Sequence, residues 1–167
     1  MVIRKAGREE AGLVAALSRQ TFFDTFSPSN KKEDMDLFLR EQFKQADLEK
    51  EVLEEKGLFY LIEDESGILG YTRIGRNIET DRLSDRIEIT RFYMVKEAIG
   101  KGVAQQLMRF CLQTAREAGY KKAFLSVWKE NHRAVAFYRK FGFEVIGETD
   151  FLLGTDRQFD HIMECSL

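Results

Sequence analysis

The chain has 167 residues, 44% of them hydrophobic and fourteen of them phenylalanine, which is enough to fill the core of a single domain spanning residues 1–167. Twenty-six Lys and Arg against twenty-eight Asp and Glu leave a formal charge of −2, which gives no support to a broad nucleic-acid-binding surface. Cys111 and Cys165 are too few for a disulfide framework, no apolar run is long enough to span a bilayer, and the opening MVIRKAGREE lacks a secretion-signal core, so the expectation is a soluble cytoplasmic protein, monomer or homodimer, without membrane or nucleic-acid partners.

Residues 2–6 read as a short strand. Residues 8–26 read as a helix, with Leu13, Val14, Leu17, Thr21, Phe22 and Phe26 on one stripe, closed by the only proline, Pro28. Ser29 or Asn30 is expected to cap a second helix running to about residue 44, and a third short helix covers 47–56 before Gly57. Residues 58–63 and 68–76 form a hairpin across a turn at 64–67, and the polar stretch 77–85 reads as a loop. A β-branched and aromatic strand follows over 87–95. The chain then breaks at Gly100-Lys101-Gly102, and from Val103 the apolar residues fall at helical spacing until Gly119. Residues 123–128 are a strand, and Asn131 is expected to cap a helix that Gly142 stops. Residues 143–146 read as a strand, and 151–153 with 159–165 as a final hairpin. This order predicts an α/β (α+β) fold, a mixed central sheet of about six to seven strands covered by helices. The segment from 87 to 128 is a βαβ unit, so its two strands should run parallel.

The strand–glycine–helix junction near residue 100 carries the functional signal. First-turn N–H groups of a helix lack intrahelical partners and carry positive potential, and glycine lets a phosphate approach the backbone. Gly102 is followed by Val103, which excludes the Walker-type loop. The segment Gly100-Lys101-Gly102-Val103-Ala104-Gln105 lacks the third glycine of a dinucleotide fingerprint. Cys111 lies on the apolar stripe of the helix with no adjacent base, a poor setting for a nucleophile. His132 and His161 are isolated and have no metal-ligand spacing, so no metal is expected.

Two blocks together, Ile99-Gly100-Lys101-Gly102-Val103-Ala104 and Asn131-x-x-Ala134-x-x-Phe137-Tyr138-x-Lys140-x-Gly142-Phe143, resemble the GCN5-related N-acetyltransferase (GNAT) family. Ile99 stands where that family usually has Gln or Arg, which removes a side-chain contact but not the backbone donors. The stretch Thr21 to Phe26 with Asn30, Met35 and Phe43 is similar to the family's PaiA branch, bacterial polyamine N-acetyltransferases. The resemblance implies a splayed central strand pair that takes up acetyl-CoA as co-substrate. It implies main-chain contacts from Phe92 and Met94, a pyrophosphate cradle over Ile99, Gly100, Lys101, Gly102, Val103 and Ala104, and coenzyme contacts from Asn131, Phe137 and Lys140.

By the same resemblance Tyr138 is the general acid toward the departing thiolate, against the alternative of a packed aromatic. Glu88 is the base, against a solvent-facing charge with ordered water in its place. The implied acceptor is a small-molecule primary amine, most of all a polyamine. Asp24, Asp34, Asp36, Glu88 and Asp160 are the acids available to such a cation. Acetylation of a peptide amine and a non-catalytic CoA-binding regulatory module are the rival readings.

Overall fold

The computed structural model describes residues 1–54, 57–75 and 85–167. Its seven strands form one sheet: β1 (Val2–Lys5), β2 (Leu58–Asp64), β3 (Gly67–Ile74), β4 (Arg86–Met94), β5 (Lys122–Trp128), β6 (Glu144–Leu153) and β7 (Asp156–Ser166). Their order is β1-β2-β3-β4-β5-β7-β6, and every described neighbour pair is antiparallel except β4 with β5. The helices are α1 (Ala11–Phe26), α2 (Lys32–Leu37), α3 (Gln45–Leu53), α4 (Val103–Glu117) and α5 (His132–Arg139). The expected mixed sheet with its parallel central pair is therefore present. The expected loop at 77–85 lies outside the described residues apart from Asp85, as does the end of the third helix.

Strand alternation divides the core between the two faces of the sheet. Ile62, Ile74, Ile87, Ile89, Leu125 and Met163 pack against α4 and α5. Phe59, Leu61 and Tyr71 pack against α1 and α3, and Leu153 joins Phe22, Met35 and Phe38 from α1, α2 and the turn that follows α2. Glu51 of α3 takes both Arg73 (3.0 Å) and Arg91 (2.7 Å), which ties that helix to β3 and β4.

Three sequence expectations are corrected. Asn30 is not a helix cap. Its amide donates to the Phe26 carbonyl and its oxygen accepts from Gln158, while α2 starts after an extended Lys31 that makes no side-chain cap. The second helix does not run on to residue 44 as one α-helix. It widens over Phe38–Gln42 into a π-type turn closed by Phe43 N–H to Phe38 C=O (2.8 Å), which brings both Phe38 and Phe43 onto the Phe22 ring, with centroids at 4.5 and 5.2 Å. The strand at 143–146 and the hairpin at 151–165 are one long pair, β6 and β7. Polar Glu148, Thr149 and Asp150 look like a turn in sequence, but β6 is an edge strand and exposed along most of its length, so it tolerates them.

Gly154 and Thr155 turn β6 into β7 and dock that hairpin end on α2. The Thr155 N–H and hydroxyl each donate to Asp34 Oδ1 at 2.7 Å. Gly154 has φ +63°, and a Cβ there would sit 2.5 Å from the Asp34 carbonyl oxygen. At Gly119, φ is +87° but a Cβ would meet nothing within 4 Å. Gly119→Ala therefore carries only left-handed strain, about 1–2 kcal/mol, whereas Gly154→Ala adds a backbone collision. Urea unfolding should show Gly154→Ala to be clearly the more destabilised of the two; equal losses would mean that the approach of α2 is not a constraint.

Candidate functional site

β4 and β5 pair only at their first residues, Arg86, Ile87 and Glu88 with Lys122, Ala123 and Phe124. Past Glu88 the two strands part. β4 stays with β3, but its register slips from Arg91 opposite Arg73 to Ile89 opposite Ile74, so Thr90 is an extra, bulged residue. A bulge bends and twists its strand. β5 meanwhile stays in unbroken register with β7 from Lys122 to Trp128. Each strand is held on its outer side, and a gap opens between them.

The main chain of β4 faces this gap at alternate residues. Val95 N–H donates to Leu69 C=O (2.9 Å), which fixes the phase of the antiparallel ladder. Arg91 and Tyr93 therefore turn their main-chain groups toward β3, and Phe92 and Met94 turn theirs into the gap.

The gap opens into a cavity of about 480 Å³. On the side of α4 and α5 its wall includes Met94, Gly100, Gly102, Ala104 and Asn131. Gly100 and Gly102 both have φ +82°, and a Cβ on either would meet nothing within 4 Å. The space before α4 is thus open. The first helical bond of α4 runs from Gln106 N–H to Gly102 C=O, which leaves the N–H groups of residues 103–105 as first-turn donors. These features fit an anionic group approaching the main chain.

The predicted site residues separate by position. Glu88, Phe92, Met94, Ile99, Gly100, Gly102, Ala104, Asn131, Phe137 and Tyr138 all line this one cavity. Val103 lies next to it, but its side chain is buried in the core, so only its N–H is available. Lys101 and Lys140 are exposed and lie outside the cavity wall. Asn131 does cap α5, its Oδ1 accepting from Ala134 N–H at 3.2 Å. Tyr138 is buried against Phe92, Phe137 and Phe143, with centroids 5.5–6.2 Å away, and burial pushes its phenol above the ordinary value so that it keeps its proton at neutral pH. Glu88 is 5% exposed and projects from the face opposite Ile87 and Ile89, toward α1.

The α1 side of the cavity is aromatic and acidic. Phe22 and Phe26 of α1, Tyr93, Trp128 and Phe151 form its walls. Of the five acids noted in the sequence, Asp24 is paired with Lys96 (3.0 Å), Asp34 with Thr155, and Asp36 with Lys32 on the surface. Glu88 and Asp160 remain on the cavity. Asp160 lies opposite Trp128 on β5, its Oδ1 is buried without a hydrogen-bond partner, and burial pushes its carboxyl up to about 6. The Tyr93 phenol, also raised by burial, feels both Tyr138 and Asp160. Sequence reasoning did not separate Asp160 from the other acids, nor place Tyr93 or Phe26 on the cavity. The alternation Gln158, Asp160, Ile162 was visible, but the strand register that aims it was not. Cys111 is buried with its thiol pushed up to about 12, and it touches Thr72 Oγ1 (3.5 Å) rather than the cavity.

A mixed sheet split at its parallel pair, with a helix N-terminus and a buried phenol at the split, is the arrangement that the resemblance to the GNAT family implied. Residues 19–143 match the model of the acetyltransferase (GNAT) family. An uncharacterised N-acetyltransferase of Lactobacillus delbrueckii subsp. lactis is 33% identical over 156 residues, covering 91% of this chain and 89% of that protein. The chain belongs to the GNAT family, and its class of activity is acetyl-CoA-dependent acyl transfer. A spermine/spermidine N(1)-acetyltransferase of Bacillus subtilis is 29% identical over 98 residues, 57% of this chain and 62% of that protein. The crystal structure of the PaiA N-acetyltransferase from Thermoplasma acidophilum, in complex with coenzyme A, superposes with a TM-score of 0.79 at 22% identity over 99% of this chain and 98% of that one.

The Asp160 carboxyl gives a pH signature. With its value raised from 3.8 to about 6, the folded chain holds a proton that the unfolded chain has already lost between those limits. Its contribution to stability is fully present below about pH 4 and is lost as pH rises through 6. At about 1.4 kcal/mol per unit, and discounted for partial exposure, the loss is about 1–3 kcal/mol. Melting curves of wild type and Asp160→Asn should therefore diverge between pH 4 and 7, the variant gaining relative to wild type. A constant offset across that range would refute the buried-carboxylate assignment.

Proposed function

We propose that this chain is a single-domain cytoplasmic enzyme that acetylates a primary amine, a polyamine such as spermidine or spermine being the acceptor best supported. The observation that carries the acyl-transfer geometry is the split of β4 from β5, with the main chain of Phe92 and Met94 turned into it and Tyr138 on its wall. The acceptor reading is supported by the acidic, aromatic side of the cavity and by the spermine/spermidine acetyltransferase among the relatives. The cytoplasmic reading is supported by two buried free cysteines.

In this reading Phe92 and Met94 pair with an extended pantetheine arm as an added strand would. The donors of residues 103–105, in the open space beside Gly100 and Gly102, receive the pyrophosphate. Acetyl-CoA, when bound, supplies the thioester carbonyl. The N–H of Met94, aimed into the gap, polarises that carbonyl. Glu88 takes the proton that the acceptor nitrogen must lose to become a nucleophile. Tyr138, protonated at neutral pH, donates to the departing sulfur. Holding both reactants in one cavity supplies much of the rate, so no covalent enzyme intermediate is required.

Two measurements test this. In an amine panel read by thiol release, with polyamines, amino acids, aminoglycosides and peptides side by side, polyamines should react best. If they are inert while another amine reacts, the acceptor assignment falls. Tyr138→Phe should keep coenzyme A affinity by calorimetry and lose about a hundredfold in kcat; an unchanged kcat would remove Tyr138 as the acid.

A further inference from the structure

Asp160 Oδ1 is a buried, unpartnered acceptor on the cavity wall that the acyl-transfer steps leave unused. It accepts no hydrogen bond, and none of the described ion pairs includes Asp160. A buried carboxylate without a partner is costly, and such groups are found where a ligand supplies the partner. Its surroundings select what that ligand is. Trp128 sits directly across the β5–β7 ladder from Asp160. Phe26 stands edge-on to both Trp128 (centroids 6.1 Å) and Tyr93 (6.5 Å), and all three rings line the same cavity. Aromatic faces attract an ammonium group, as does the carboxylate, whereas they offer nothing to an anion.

Position separates this group from Glu88. Glu88 is level with Phe124 of β5, and Asp160 is level with Trp128, four residues or about 13 Å further along the strand. Asp160 is also on β7, beyond β5 from the gap that holds Phe92 and Met94. It is therefore placed for a second point of the acceptor rather than for the nitrogen under attack.

We propose that Asp160, with Phe26, Tyr93 and Trp128 around it, binds a second, protonated nitrogen of the acceptor, so that the enzyme selects diamines and polyamines over monoamines. This rests on the amine-acetylating reading given above and goes beyond it by naming the specificity residue. The second nitrogen stays protonated throughout, its proton shared with Asp160. The first, near Glu88 and Tyr138, is the one that loses its proton and is acetylated.

Thiol release at saturating acetyl-CoA, with spermidine, 1,8-diaminooctane and octylamine as acceptors, tests this in wild type and Asp160→Asn. In the variant, KM for spermidine and for 1,8-diaminooctane should rise about tenfold to a hundredfold, as expected on losing one charge-assisted hydrogen bond. The KM values for octylamine and acetyl-CoA should stay as in wild type, and kcat at saturation should be retained. Equal changes for diamines and monoamine, or no change, would overturn the proposal. A second measurement needs no variant. Propyltrimethylammonium should inhibit wild type competitively with spermidine and not with acetyl-CoA, at least about tenfold better than its uncharged carbon isostere; equal inhibition would also overturn it. Absence of thiol release from wild type with every amine would be a different failure, since it removes the amine-acetylating reading itself.

Discussion

The parting of β4 from β5 after Glu88 is the constraint on which the rest of the site depends. An interior strand ordinarily has both edges paired, because unpaired main-chain groups away from water are costly. Here the break is enforced from outside. The bulge at Thr90 turns β4 while β3 holds it, and β7 holds β5 in continuous register. The two elements that complete the cavity then follow from connectivity. The chain leaving β4 turns through Gly100 and Gly102 into α4, and the chain leaving β5 turns through Asn131 into α5. Both helices therefore start at the carboxyl ends of the two diverging strands, the place where open α/β sheets gather their ligands.

The two faces of the sheet contribute different chemistry to the one cavity. The α4 and α5 side offers backbone donors, small residues and a buried phenol, which suit a ligand recognised by its length and its phosphates. The α1 and α2 side offers carboxylates and aromatic rings, which suit a cation. It is built by long-range packing: the π-type turn after α2 presents Phe38 and Phe43 to Phe22, and the Gly154–Thr155 turn brings Phe151 to the same cluster. Asp160 illustrates the cost of such a chamber. A carboxylate whose ionised form is disfavoured by burial weakens the fold at neutral pH, and its retention is easiest to understand where a ligand offsets that loss.

What the sequence made legible was local. The passage from strand to glycine turn to helix, the cap at Asn131 and the hairpin at 58–74 are each encoded by neighbouring residues, and each is present in the fold. Apart from the π-type turn after α2, the failures were matters of register or distant partners. Asn30 has the chemistry of a cap, but Gln158, 128 residues away, claims its side chain. Residues 147–150 have the composition of a turn, yet an edge strand absorbs them. The bulge at Thr90 has no glycine to announce it. Asp160 differs from Asp24, Asp34 and Asp36 in facing the cavity with a buried, unpartnered oxygen, and both features belong to the tertiary structure.

Ile99 brings these strands of argument together. The family pattern would place a polar side chain there, and its loss invites the conclusion that the cradle is impaired. The side chain is 43% exposed at the rim, while the donors of the first turn of α4 point into the space before the helix whatever residue 99 carries. Lys101 stands exposed outside the cavity wall, so it adds a screened charge of small effect. In the proposed reading, anion recognition at this junction rests on main-chain dipoles and on the absence of side chains at Gly100 and Gly102. A site of that kind is set by backbone conformation, two residues at φ +82°, and substitutions at the rim change its strength without changing what it recognises.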